Sequence, residues 1–227
     1  SLRRQRQMCI RDRMNAIIGY AELLEKHIDE KDRVHNYVDK IRSSSSFLLA
    51  LINYVLEMAR IESGKAVLKT EPSDVRELLD SLDAVFELLT EEKKLTYTCT
   101  ADIRHPYVVS DRTKVREVFL NIISNAVKYT PEGGHVRFTL TELPGDMPDT
   151  LCYKAVIADD GIGMSEEYLP HLFEEFSREH TSTESKVVGT GLGLPIVKSL
   201  VELMHGTIDV ESASGKGCLL YTSDAAD

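Results

Sequence analysis

Between Val34 and Ala59, apolar or small residues recur alternately every four and three positions: Val34, Val38, Ile41, Ser45, Leu48, Ile52, Val55 and Ala59. This is the heptad seam of a long helix lying along another helix. A second stripe, Phe47, Leu51, Tyr54, Met58 and Ile61, widens the apolar face beyond what one partner helix covers. A helical pattern also starts at Met14, and the polar connection His27-Ile-Asp-Glu-Lys-Asp32 joins the two. Such a hairpin has apolar surface left over, so two hairpins are expected to pair into a four-helix bundle. The alternative is a hairpin packed on its own second domain. Ser43 to Ser46 lies inside the seam and reads as helix, not linker.

Ser63-Gly64 stops this pattern, and Pro72-Ser73-Asp74 reads as the cap of a helix from Val75 to about Thr90. The segment between is the expected hinge. Leu95 to Ala101 alternates as a strand, and Tyr107 to Ser110 is a short extended piece. A helix follows from about Arg112 to Lys128, closed by Thr130-Pro131-Glu-Gly-Gly134. Val136 to Leu140 and Tyr153 to Asp159 are strand-like around a loop rich in Gly, Pro and Asp, and a helix over 194–204 and a strand from Thr207 to Glu211 complete the series. The class is α+β: a helical hairpin, then a sheet covered by helices on one face.

Three stretches carry the chemistry. They are Asn121-Ile-Ile-Ser-Asn125-Ala-Val-Lys128-Tyr129, Asp159-Asp-Gly161-Ile-Gly163-Met164 and Gly189-Thr190-Gly191-Leu192-Gly193-Leu194. They supply amide oxygens suited to magnesium, a carboxylate able to read a base edge, and glycine-hinged backbone able to approach phosphates. A polyphosphate nucleotide needs that combination, so the chain is read as ATP-binding. Singly, each is an ordinary turn, loop or solvated helix face; their order and spacing carry the reading.

The 227 residues, 42% apolar and 28% charged, are ample for a buried core. No apolar run approaches the ~20 residues of a membrane span, and no apolar segment with a cleavage site follows the basic N-terminus. A soluble, intracellular chain is therefore expected. Four cysteines without CxxC spacing fit a reducing compartment, and a net charge of −10 disfavours nucleic acid as a partner. The seven histidines have no metal-ligand spacing and are assigned to surface or packing roles, and Glu91-Glu-Lys-Lys94 to a solvated helix end.

Both ends carry a second message. Permitted codons for Arg3 to Asp12 spell CGT CGG CAG CGT CAG ATG TGT ATA AGA GAC. Those for Cys218 to Asp227 spell TGT CTC TTA TAC ACA TCT GAC GCT GCC GAC. Apart from one or two frame-edge bases the second is the reverse complement of the first, and both resemble a transposase adapter used to prepare sequencing libraries. Residues 1–13 and 218–227 are expected to be artefactual extensions, with a basic arm and an ordinary terminal strand as the alternative. Residues 3–13 lack Gly and Pro and should nonetheless extend the first helix. Residues 218–222 should occupy a strand, with fraying after Ser223.

Asn121 to Thr130, Asp159 to Met164, Leu172-Phe173-Glu-Glu-Phe176 and Gly189 to Leu194 resemble the N, G1, F and G2 boxes of bacterial sensor histidine kinases. Met14 to Leu24 resembles the stretch just after that family's phosphoaccepting histidine. The resemblance implies a dimerisation and phosphotransfer hairpin over 14–64 and a Bergerat-type ATP-binding α/β sandwich over 65–217. It also implies a homodimer in the cytoplasm, membrane attachment only through other parts of a parent protein, and transfer of phosphoryl from ATP to histidine and on to an aspartate of a response-regulator receiver domain.

By position, Asn125 would ligate Mg²⁺, Asn121 would help order that centre, Lys128 would meet phosphates and Tyr129 would pack near adenine. Asp159 would accept from the adenine amino group, with Gly161 and Gly163 letting backbone close in. Gly189, Thr190, Gly191, Leu192 and Gly193 would form the mobile end of a lid, anchored at its other end by Phe173 and Phe176. The departures are local. Met8 stands where the phosphoacceptor histidine is expected, Cys9 replaces its acidic neighbour, and Arg13 replaces a proline. Two alternatives stay open: a gyrase-type or chaperone-type ATPase, which would need a glutamate at Asn121, and a non-catalytic ATP-binding dimeric scaffold.

Overall fold

The periodic first third of the chain becomes two helices, α1 (Leu2–Lys26) and α2 (Lys31–Glu62). The computed structural model describes residues 2–145, 150–177, 179 and 191–226, and they separate into two units at Gly64. Residues 3–13 are helical, as their composition predicts. The stop also falls as expected: Ser63 N–H returns to the Ala59 carbonyl, and Gly64, at φ +64°, donates to Ile61. The two apolar stripes of α2 differ in burial. Leu51, Tyr54 and Met58 of the second stripe are buried, whereas Val38 and Ile52 of the heptad seam stay 46% and 41% exposed. Within the hairpin, Tyr20 stacks on Tyr37 and the Arg13 guanidinium lies 4.3 Å from the Phe47 ring centre.

The second unit is built on a five-stranded sheet in the order β2-β4-β5-β7-β6. Its strands are β2 (Thr96–Asp102), β4 (His135–Pro144), β5 (Leu151–Asp159), β6 (Thr207–Ser212) and β7 (Cys218–Ala226). All pairs are antiparallel except β2 with β4, because the chain crosses over through α4 (Arg112–Tyr129) between them. α4, α3 (Val75–Glu92) and α5 (Gly193–Leu203) are this unit's α-helices among the described residues. Val136, Phe138 and Leu140 of β4 and Tyr153, Ala155 and Ile157 of β5 point to the same buried layer as Leu82, Phe86, Ile123, Val197 and Leu200 from the helices. On the other face Arg137 and Lys154 are exposed, and Thr139, Val156 and Ala158 are half-buried. The single covered face predicted from the element order is what forms.

Two features differ from the expectation. Pro72-Ser73-Asp74 caps α3, with Asp74 accepting from the Arg76 N–H, but Glu71–Asp74 is also a strand, β1, paired with β3 (Tyr107–Ser110). A two-stranded ribbon tolerates Pro72 because a proline needs only an edge without a required donor. At the other end, β7 does not fray after Ser223. It stays paired through Ala226, opposite Leu151, because a ladder is made by backbone groups and needs no apolar side chains. No described helix is long and apolar enough to cross a membrane.

Candidate functional site

Helix α4 supplies one wall of the site. Asp111 caps its start, one carboxylate oxygen accepting from Lys114 N–H and the other from the Lys69 N–H. Asn121 and Asn125 lie one turn apart on one face. The Asn121 amide nitrogen donates to the Glu117 carbonyl at 2.9 Å, which orients its oxygen away from that turn. The end of α4 is held by three different partners. A helix leaves its last four carbonyls without helical donors. Here Ala126 O accepts from the Thr130 N–H and hydroxyl, Val127 O and Lys128 O accept from the Lys93 ammonium, and Tyr129 O accepts from Ile162 N–H.

The second wall is the turn after β5. Asp159 Oδ1 accepts from Gly161 N–H at 2.9 Å. A side chain at 161 would stand 2.7 Å from both that oxygen and the Tyr129 carbonyl, so only glycine fits. Gly163, at φ +62°, faces the Ala213 carbonyl, and Gly215 N–H donates to Ile162 O. Ser212 ties the same turns together, accepting from Met164 N–H and donating to Gly217 O. Asp160 is clamped by His135 through its backbone N–H at 2.6 Å and its Nδ1 at 2.7 Å. The backbone bond foremost, and the side-chain bond after it, hold the Asp160 carboxyl below its usual range. Asp159 goes the other way. Burial pushes its carboxyl up to about 6, against the lowering effect of the Gly161 and Cys218 N–H groups and with a smaller upward push from Asp160.

Between the walls is a cavity of ≈ 400 Å³. Asn121, Asn125, Lys128, Tyr129, Asp159, Gly163, Gly191 and Gly193 line it, from three separate stretches of chain. Gly193 opens α5, and a side chain there would come 3.0 Å from Asn121 Oδ1, so the first turn of α5 abuts the asparagine wall. Ile157, Ile162, Met164, Leu172, Val210 and Leu220 add an apolar flank. Four sequence-predicted residues do not line the cavity: Gly161 holds Asp159, Leu192 is buried, and Phe173 and Phe176 are half-buried. Phe176 N–H donates to the Gly191 carbonyl, and the Lys198 ammonium lies over the Phe173 ring. Gly189 and Thr190 lie outside the described residues.

The sequence reading missed several participants. Lys93 is not part of a solvated helix end: its ammonium caps α4, at 2.7 and 2.8 Å, while Lys94 pairs with Glu132. Its burial lowers the Lys93 pKa. Only the lysine pair just after α3, two to three residues before β2, could have signalled this. His135 is at the surface as expected, yet it also locks the Asp160 turn. Met164, Tyr168 and Cys218 line the cavity with no signal of their own beyond adjacency to a motif. The arrangement presents amide oxygens, a lysine, a helix N-terminus and the half-buried Asp159 carboxylate around an apolar slot, a set suited to a purine carrying phosphates.

Known proteins resemble this chain along most of its length. The His Kinase A (phospho-acceptor) domain model matches residues 10–64, and the histidine kinase-, DNA gyrase B-, and HSP90-like ATPase model matches residues 110–222. Position 8 falls outside the first match. The sensor histidine kinase GacS of Pseudomonas protegens is 34% identical over 215 residues, 94% of this chain and 23% of its own length. The autoinducer 2 sensor kinase/phosphatase LuxQ of Vibrio parahaemolyticus is 30% identical over 210 residues, 92% of this chain and 24% of its own. The chain thus spans about a quarter of such relatives. Among solved structures, full-length ShkA in complex with AMPPNP superposes with a TM-score of 0.67 at 27% identity, covering 85% of this chain and 38% of that one.

Proposed function

Because the chain belongs to the sensor histidine kinases and carries both halves of their core, the phosphoacceptor-type hairpin and the ATPase-type sheet unit, we propose that its cavity binds Mg–ATP for phosphoryl transfer to a histidine. One observation supports this most: Asn125, Lys128, Tyr129 and Asp159 come from two separate elements and meet in one cavity facing the N-terminus of α5. The volume of ≈ 400 Å³ suits a nucleotide-sized ligand. Asp159 accepts a hydrogen bond from the adenine amino group, and Tyr129 flanks the ring. Lys128, the backbone of Gly191 and Gly193, and the start of α5 receive the phosphates. Asn125 offers an amide oxygen, a hard ligand that suits a cation known for keeping most of its water. Magnesium there would neutralise phosphate charge.

In a complete kinase core the imidazole nitrogen of the acceptor histidine attacks the γ-phosphorus, and the bond to the ADP oxygen breaks. A receiver-domain aspartate then takes the phosphoryl group. In this chain the aligned position is Met8, whose thioether cannot hold a phosphoryl group, so the nucleotide half of the reaction is present without its acceptor. We read residues 1–13 and 218–227 as adapter-encoded and 14–217 as the kinase core, a homodimer through the hairpin acting in the cytoplasm. A water-activating ATPase is disfavoured, because Asn121 has no carboxylate and its amide is committed to Glu117 O.

The test is direct. The chain should bind Mg–ATP in calorimetry and, after incubation with labelled ATP, carry no acid-labile, alkali-stable label. Replacing residues 1–13 by an intact acceptor segment of a related kinase should bring that label in. Absence of nucleotide binding by the folded chain would overturn the reading.

A further inference from the structure

We propose that Lys93 is a positioning residue of the nucleotide site, acting from outside the cavity by fixing the last turn of α4. This rests on the nucleotide reading of the cavity. Lys93 follows α3, two residues before the buried Leu95. Its ammonium donates to Val127 O at 2.7 Å and to Lys128 O at 2.8 Å. These are the carbonyls at the negative end of α4's dipole, where a cation is favoured, and they belong to the turn that presents Lys128 and Tyr129 to the cavity. The other carbonyls of that turn are already taken, Ala126 O by Thr130 and Tyr129 O by Ile162. Lys93 thus serves both Val127 O and Lys128 O from outside the helix.

The surrounding contacts hold the ammonium in register. Leu95 N–H donates to Thr90 O, Gly133 N–H donates to Lys94 O, and Thr96 N–H donates to Gly134 O. The loop 130–134 and the end of α3 thus form one clasp, with Lys93 as its side-chain member. Partial burial of the ammonium lowers its pKa, the direction desolvation of a cation gives. Without it, Val127 O and Lys128 O lose their donors. The turn is then free to rotate or to draw in water, and Lys128 and Tyr129 move together because they share it.

The experiment compares Lys93→Met, Lys93→Arg and the control Lys94→Ala in the full chain. Each is measured for Mg–ATP affinity by calorimetry and for thermal unfolding, with affinity taken well below the transition. Met keeps the length and the apolar stem but not the donors. It should weaken Mg–ATP binding about five- to tenfold in protein that is still folded. Arg restores two donors and should recover affinity to within about twofold. Lys94→Ala removes the same charge from the same loop without touching α4 and should leave affinity unchanged. A purely structural Lys93 would shift unfolding and leave folded-state affinity alone; that result, or an equal loss in Lys94→Ala, overturns the proposal. If the unsubstituted chain does not bind Mg–ATP, it is the nucleotide reading that fails.

Discussion

The hairpin and the sheet unit solve the burial problem in opposite ways. In the sheet unit, apolar residues from three helices and one sheet face close on one another, and Phe86, Phe138, Leu82 and Ile123 are fully buried. In the hairpin, about a quarter of the chain, nine of the sixteen exposed large apolar side chains among the described residues are found, from Met8 and Met14 to Ile52 and Leu56. One helix pair has too little interior to cover two stripes. The sheet unit closes on its own interior, and of its exposed large apolar side chains among the described residues only Ile162 lines the cavity; the hairpin leaves most of its apolar surface open. Stability and function should therefore respond to different kinds of change in the two regions.

The sharpest way to break that contrast is to place charge on the exposed seam. Val38→Asp with Ile52→Asp should abolish self-association, read by sedimentation at concentrations where the parent chain dimerises, because a carboxylate in an apolar helix seam has no partner there. The sheet unit should keep its nucleotide affinity. Persistence of the dimer would mean that the seam is not its interface, and that the hairpin is covered in another way.

A smaller but sizeable effect is expected from a methyl group in the site. Gly163→Ala combines a left-handed φ of +62° with a Cβ only 2.0 Å from the Ala213 carbonyl. Backbone cannot swing aside as a side chain can, so the turns 159–163 and 213–217 must separate. A loss of about 2–4 kcal/mol in denaturant unfolding of the sheet unit is expected, with weaker nucleotide binding.

Next in size is Asp159→Asn. Asparagine can present an N–H to the adenine amino group, a buried mismatch of about 1–3 kcal/mol, or roughly ten- to hundredfold in affinity. The pH response gives an independent reading of the same carboxylate. Burial holds it at about 6 in the folded chain, above the ~3.9 of an exposed aspartate. Between those values the folded state binds more proton than the unfolded one. Stability of the empty sheet unit should therefore rise as pH falls from about 6 towards 4. ATP affinity should fall over the upper part of that range, because a protonated carboxyl no longer accepts from an amino group on the oxygen that carries its proton. Asp159→Asn should flatten both curves, and parallel movement of the two would remove Asp159 from the base end.

How well the sequence foretold each region follows from the type of signal. Helices and strands carry periodicity, so α2, α4 and β4–β6 were legible to within a few residues, and the four motif stretches pointed to one site before any geometry. Contacts between distant turns carry no such signal. Nothing in Lys93-Lys94 tells which lysine reaches α4, and nothing in His135 announces the Asp160 turn 25 residues away. β1 was hidden by Pro72, which argues against strands in general but not against a two-stranded edge ribbon. The heptad seam was read correctly as helical, but periodicity alone did not say that the other stripe would be the deeper one.

The smallest prediction bears on the same contrast from the hairpin side. Gly19 lies inside α1, and a Cβ there meets nothing within 4 Å. Replacing it by alanine removes backbone freedom from the unfolded chain and fills open space, so Gly19→Ala should stabilise the hairpin by about 0.5–1 kcal/mol in denaturant unfolding. The sign is informative because this open space is that of a single chain. Ile18, its neighbour, is 53% exposed and belongs to the apolar surface left uncovered. If a second copy packs closely at Gly19, the methyl group would meet that copy instead of solvent, and the effect would reverse as the concentration is raised into the dimeric range. A gain that is independent of concentration puts Gly19 on the solvent side of the bundle; a gain when dilute that turns to a loss when concentrated puts it in the interface, at a point where two helices approach too closely for any side chain.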